Sequence, residues 1–261
     1  MNSGLRLCDV AVTRGRARIL TEISVRLQPA QIVGVIGPNG AGKSTLLGAI
    51  AGHIRHAGSI LWQDKVVETA RIGFMPQHCA VKAELSVLQV LLLGRHERLG
   101  WHVRGDDIDA AGAVLASLGL EHLAERCMST LSGGQQQLVL LAQRLMREPP
   151  LLILDEATSA LDLGHQMSVV DALKGYVART GALVMIAIHD LNLAARHADS
   201  LMLLNGGRLV SHGPSGEVLT LPAIRSIYRI DAEVLNSPSG LPVIVPLSNQ
   251  ALFSAQEKTT L

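Results

Sequence analysis

Gly37-Pro38-Asn39-Gly40-Ala41-Gly42-Lys43-Ser44 sets glycines, a lysine and a hydroxyl at the spacing of a phosphate-binding loop. Glycines let backbone N–H groups wrap phosphate oxygens without a Cβ in the way, at the positive end of the helix that follows. Lys43 adds a point charge for the β- and γ-phosphates, and Ser44 offers a hydroxyl to Mg²⁺. Further on, the apolar run Leu151 to Leu154 ends in Asp155-Glu156. An uncompensated carboxylate at the end of a buried strand is costly, so Mg²⁺ is the natural counter-charge for Asp155. Glu156 points the other way on a strand and can reach an attacking water, a role worth on the order of 10²–10⁴ in rate. The chemistry is that of a nucleoside triphosphate and its hydrolysis.

The elements that position these residues follow from patterning. Leu5, Leu7, Val10 and Val12, then Ile23, Val25 and Leu27, alternate roughly with polar residues, as half-buried strands do. Gln31 to Ile36 is a denser apolar strand leading into the loop, and Ser44 to Ala51 reads as the helix after it. Ile108, Ala111, Leu115 and Leu118 recur at helical spacing, with Asp106 and Asp107 at the start and Gly119 as a stop. A helix around His165 to Ala178 and a strand over Ala182 to Ile188 come next, so continuous apolar strands adjoin helices, the mark of a parallel sheet covered on both faces. Leu201–Leu204, Asn205-Gly206-Gly207 and Arg208–His212 predict a hairpin. Leu235 to Val245 predicts a second, turning through Asn236 to Gly240, and the polar tail from Ser248 is expected to fray.

Composition narrows the partners. The 261 residues carry a net charge of +1 and only 2% aromatics, which argues against a nucleic-acid face or a base-stacking platform. Hydrophobic residues reach 48%, yet no apolar run nears the roughly 18–20 residues that span a bilayer. The start, Met1-Asn2-Ser3-Gly4, does not resemble a signal peptide. Cys8, Cys79 and Cys127 are odd in number and far apart, as expected in a reducing cytosol rather than in a disulfide or metal scaffold.

Leu131-Ser132-Gly133-Gly134-Gln135, lying between the phosphate loop and the acidic pair, completes a set that strongly resembles ATP-binding cassette ATPase subunits over nearly the whole chain. The resemblance implies an α/β fold: a P-loop NTPase core with a mostly parallel sheet, an antiparallel β portion and an inserted helical subdomain. It implies one domain over 1–261, with 1–77 and 146–225 as nucleotide-binding core, 78–145 as helical subdomain and 226–261 as C-terminal hairpin and tail. MgATP would be bound by a homodimer in which the LSGGQ loop of one copy caps the ATP held by the other. Ser132 and the amides of Gly133 and Gly134, at a helix start, suit that task. Gln135 and Thr45 join the ATP-binding set by the same resemblance.

By position, Gln77 matches a glutamine that senses Mg²⁺ and water, Asp162 matches a loop crossing the dimer interface, and His189 matches a switch histidine on the γ-phosphate. The slot for an aromatic residue on adenine holds Arg14, which either stacks on the base or is a solvated surface residue. Ala157 replaces a usual proline, and Gln136-Gln137-Leu138 lacks a usual arginine.

Gly94-Arg95-His96 with Leu99-Gly100 resembles importers of iron chelates, haem, cobalamin and some metals, while Leu163 to Gln166, His189 to Arg196, Ile227-Tyr228 through Val234, and Pro242 to Pro246 resemble most the branch that imports ferric siderophores, haem and cobalamin. The implied role is that of a peripheral subunit on the cytoplasmic face of the inner membrane, working with two transmembrane permease subunits and indirectly with a substrate-binding protein. A zinc or manganese importer is the alternative, and a non-transport cassette ATPase of translation or DNA repair is a further one. Tandem cassettes or a long coiled-coil insertion, expected for the latter, are missing, as is the Asn-Lys-x-Asp of GTPases.

Overall fold

The computed structural model describes residues 4–77, 84–95, 103–159 and 161–249. In chain order these form β1 (Leu5–Arg14), β2 (Ala17–Leu27), β3 (Gln31–Ile36), α1 (Lys43–Ile50), β4 (Ala57–Trp62), β5 (Lys65–Val66) and β6 (Ile72–Met75). There follow α2 (Val87–Leu93), α3 (Gly105–Ser117), α4 (Gly133–Met146), β7 (Leu151–Leu154), α5 (Leu163–Thr180), β8 (Leu183–Ala187) and α6 (Leu191–His197). The chain then runs through β9 (Ser200–Asn205), β10 (Arg208–Gly213), α7 (Ser215–Val218), α8 (Leu221–Ala223), β11 (Ile230–Asn236) and β12 (Pro242–Asn249).

A six-stranded sheet in the order β10-β9-β3-β8-β7-β6 is parallel except for β10. Its strands alternate in sequence between two cores. Ile32, Ile36, Leu152, Leu154, Val184 and Ile186 face one, together with apolar residues of α2 to α6. Val33, Val35, Leu151, Ile153, Leu183 and Met185 face the other, where α1 lies against an antiparallel sheet β2-β1-β4-β5. Because both faces are buried, these strands read as unbroken apolar runs rather than alternations.

The central order β3-β8-β7-β6 has a direct consequence. The loops leaving the C-terminal ends of these four neighbours carry, respectively, residues 37–42, His189, Asp155-Glu156 and Gln77. Open α/β sheets place ligands outside the carboxyl ends of their strands, so the topology alone gathers residues 150 positions apart.

Helix caps fix the remaining loops. Ser86 and Gln89 form a capping box at α2, and Ser132 and Gln135 form another at α4. Asp162 caps α5, and Asp190 caps α6. Helices α2, α3 and α4 share one core, tied by Arg95, whose Nε donates to Met146 O at 3.0 Å while its guanidinium lies 3.5 Å from Asp107. Arg95 therefore has a structural place; His96, Leu99 and Gly100 lie outside the described residues, as does Cys79.

The helix predicted over Ile108 to Leu118 is present as α3, but Ile108 is exposed, and Ala110, Ala111, Val114 and Leu115 supply its core face. Both predicted hairpins form, and the second is longer than its pattern because β11 starts at Ile230. The residues beyond Asn249, including most of the polar tail, lie outside the described residues. Among the described residues no helix is long and apolar enough to cross a membrane.

Candidate functional site

A cleft of about 740 Å³ opens over the phosphate-binding loop. It is lined by Asn39 to Thr45 together with Arg14, Ile19, Gln77, Glu156 and His189. Gly37 and Pro38 lie beneath, where their carbonyls accept hydrogen bonds from Lys43 Nζ at 2.7 and 3.2 Å. Positive φ angles at Gly37, Gly40 and Gly42 shape the loop. At Gly37 a Cβ would sit 2.2 Å from Leu204 O, and at Gly42 one would sit 2.6 Å from Leu20 Cδ2. These glycines are imposed by close approach as well as by turning.

Lys43 is buried, and burial holds its ammonium below the usual lysine range, with Glu156 and Asp155 pulling it back up. Asp155 is also buried. Burial raises its carboxyl above the usual range, against the Ser44 hydroxyl that donates to Oδ1 at 3.0 Å. A carboxylate disfavoured by its surroundings and facing a hydroxyl is a hard oxygen pair suited to Mg²⁺. The donor set fits that ion.

Glu156 does not continue the strand, as the sequence reading had it. Its φ is +57°, a left-handed turn just after β7. That turn, rather than strand alternation, carries the carboxylate into the cleft. There Gln77 Nε2 donates to Oε2 at 2.6 Å and His189 Nε2 lies 2.5 Å from Oε1. Ser159 Oγ and Gln137 Nε2 both donate to the Glu156 carbonyl, at 3.0 and 3.4 Å. A left-handed non-glycine backbone held by its neighbours is the kind of strain that collects at functional sites.

Two groups of predicted residues are not brought into this cleft within one chain. Ser132, Gly133, Gly134 and Gln135 open α4, and Asp162 caps α5; none of them lines it. Ser132 Oγ accepts from the Gln135 N–H at 3.3 Å, and its own O–H remains to donate. Asp162 accepts from His165 N and faces His165 Nδ1, both at 2.9 Å; the backbone N–H first, then the ring, hold its carboxyl below the usual range.

The structure also explains Gln136-Gln137. Gln136 Nε2 donates to the carbonyls of Met128 and Leu131, pinning the turn before the signature, and Gln137 links α4 to Glu156. Sequence reasoning missed Ile19, Gln137 and Gly207. Gly207 donates to Ala41 O at 3.1 Å, and a Cβ there would meet Ile19 O at 2.2 Å. The Gly206-Gly207 pair announced a turn; nothing in the sequence announced that the turn props the phosphate loop.

Residues 20–159 match the family model described as ABC transporter. The chain is 40% identical over 257 residues to the hemin import ATP-binding protein HmuV of Bradyrhizobium diazoefficiens, covering 92% of this chain and 94% of that protein. It is 35% identical over 247 residues to the cobalamin import ATP-binding protein BtuD of Halobacterium salinarum, covering 91% of this chain and 62% of that protein. Among solved structures, a metal-chelate type ABC transporter in an inward-facing conformation superposes with a TM-score of 0.80 at 30% identity, over 95% of this chain and 98% of that one.

Proposed function

This chain belongs to the ABC transporter family, and on that premise we propose that it hydrolyses ATP to drive a bacterial importer of an iron complex or cobalamin, with haem as the favoured cargo. The observation that carries the reading is the Glu156 carboxylate, held by Gln77 and His189 over a loop that binds phosphate. The haem cargo is supported by the hemin import relative, whose alignment covers 92% of this chain and 94% of that protein.

Phosphoryl transfer asks a protein mostly for positioning and charge neutralisation. The amides of residues 39–45 cradle the β- and γ-phosphates, and Lys43 exchanges its two carbonyl partners for phosphate oxygens. Glu156 accepts a hydrogen bond from the attacking water and aligns it, with Gln77 fixing one carboxylate oxygen and His189 the other; His189 then meets the γ-phosphate. Ser44, Asp155 and Gln77 would hold Mg²⁺, which supplies charge neutralisation on the phosphates.

Ser132, Gly133, Gly134, Gln135 and Asp162 complete the site from a second copy of the chain, since in one copy they stand apart from the cleft. The working unit is a homodimer on two permease subunits at the cytoplasmic face of the membrane, supplied by a substrate-binding protein. Residues 1–77 and 146–225 act as the nucleotide-binding core, 78–145 as a helical subdomain and 226–261 as a C-terminal hairpin and tail.

Deleting the gene in its host and supplying iron only as haem tests the cargo. Loss of growth on haem, restored by the intact gene and not by Glu156→Gln, is expected. Unimpaired growth on haem with lost uptake of cobalamin, zinc or manganese would move the assignment to that cargo.

A further inference from the structure

Two stretches of this chain have no part in the phosphate chemistry, yet both are built against it: residues 190–196 and the C-terminal segment 224–249. Asn192 lies three positions after His189. Its Oδ1 accepts from the Ile244 N–H at 2.8 Å, and its Nδ2 donates to the Ile244 carbonyl at 3.1 Å. One side-chain amide thus takes both backbone groups of one residue in β12, as a neighbouring strand would. Ile244 is buried, so packing fixes the strand as well. Asp190 holds the other side of the turn by accepting from Asn192 N and Leu193 N, at 2.8 and 3.0 Å. The backbone carrying His189 is therefore locked to the C-terminal hairpin.

The same segment reaches the phosphate loop. Tyr228 ends a π-helical turn, Ile224–Tyr228, and its buried hydroxyl has no hydrogen-bond partner among the described residues. The backbone N–H of Gly37 is near enough to act on this hydroxyl and favour its ionised form, and the Gly37 carbonyl takes Lys43 Nζ at 2.7 Å. Burial pushes the phenol above the usual tyrosine range, so the protonated hydroxyl would take that N–H as a neutral acceptor if the two drew closer. A buried hydroxyl without a partner is unfavourable, and a small movement of Gly37 would relieve it.

We propose that residues 224–249 form a clamp on the phosphate site, in which Asn192 positions the His189 turn and Tyr228 closes on the Gly37 N–H when nucleotide draws in the loop. Both are positioning residues, acting through His189 and through the Gly37 peptide. The proposal rests on the reading that this cleft binds and hydrolyses ATP.

The two anchors predict separate readouts, measured on the full chain with MgATP and with thermal melting of each variant. Asn192→Ala lowers kcat about three- to tenfold, the factor of a lost hydrogen bond, while KM for ATP moves by less than about twofold. Asn192→Asp keeps the acceptor for the Ile244 N–H but sets a carboxylate oxygen against the Ile244 carbonyl, and lowers kcat in the same way; it serves if the alanine variant does not fold. Tyr228→Phe removes a hydroxyl that is unpaired without nucleotide. It therefore leaves the melting temperature of the free protein level or higher, while calorimetric affinity for ATP weakens by about three- to tenfold.

Asn192 variants that melt lower but keep kcat would make the hairpin contact merely structural and overturn that anchor. A Tyr228→Phe chain that binds ATP with undiminished affinity would overturn the other. Glu156→Gln, assayed in parallel, separates these failures from failure of the ATPase reading, because turnover that survives that change condemns the catalytic assignment and not the clamp.

Discussion

His189 Nε2 lies 2.5 Å from Glu156 Oε1, and Gln77 takes the other oxygen of the same carboxylate at 2.6 Å. Three loops from three strands converge on one group, and both of its oxygens are held. Removing the imidazole frees one side of the carboxylate and takes away the group proposed to meet the γ-phosphate. His189→Ala should cut steady-state phosphate release by about 10²-fold, within the range of a positioned acid–base group, while ATP still binds. Turnover within a factor of two of the parent would remove His189 from the mechanism.

Arg14 lines the same cleft as Glu156, on the exposed end of β1. A guanidinium stacked on adenine at an exposed site is worth about 0.5–1 kcal/mol, so Arg14→Ala should weaken ATP binding about two- to fivefold by calorimetry. Unchanged affinity would leave Arg14 a solvated surface residue and pass adenine packing to Ile19.

Gly207 has a φ of +77° and stands where a Cβ would meet Ile19 O at 2.2 Å. Its N–H supports Ala41 in the phosphate loop. Gly207→Ala should lower unfolding free energy by about 1–3 kcal/mol or more in urea titration and weaken ATP binding with it. A variant as stable as the parent would show that the turn relaxes freely.

Stability should depend on pH near neutrality through His197 and His212. Burial holds both imidazoles below their ordinary value of 6.5, helped at His197 by Lys174 and Arg196. The folded state therefore binds fewer protons than the unfolded chain once the pH falls under 6.5, and stability is lost on acidification. The melting temperature should fall between about pH 7 and pH 5, and replacing both histidines with Gln should flatten that slope. An identical slope in the double variant would assign the loss to other groups.

Most of the architecture could be read from the sequence because buried parallel strands and a glycine-rich loop leave strong local signals. Gly37 to Ser44, Asp155, Glu156 and His189 all fall at strand ends that patterning located. What could not be read is relative placement. The left-handed turn at Glu156 follows from what surrounds it, not from its residue type. Gln137 reaching the Glu156 carbonyl, Gly207 under Ala41 and Asn192 on Ile244 are contacts between distant segments, and each residue alone looks like an ordinary polar or turn position. Gln136-Gln137 shows the limit plainly. Against the family pattern it is a missing arginine; in three dimensions it is a pair of hydrogen-bonding side chains, one holding the turn before the signature and the other reaching the Glu156 carbonyl.

The central claim is that Ser132 to Gln135 of one copy complete the ATP site of another, because they stand outside the cleft of their own chain. Glu156→Gln removes the carboxylate proposed to align water and keeps the shape of the site, so it should hold ATP unhydrolysed between two copies. Size-exclusion chromatography with light scattering on this variant, at saturating ATP and Mg²⁺, measures the claim directly. The account predicts twice the chain mass of 27.8 kDa, with a return to monomer when ATP is withdrawn or when Ser132 is also replaced. A monomer at saturating ATP, with nucleotide bound, would contradict it.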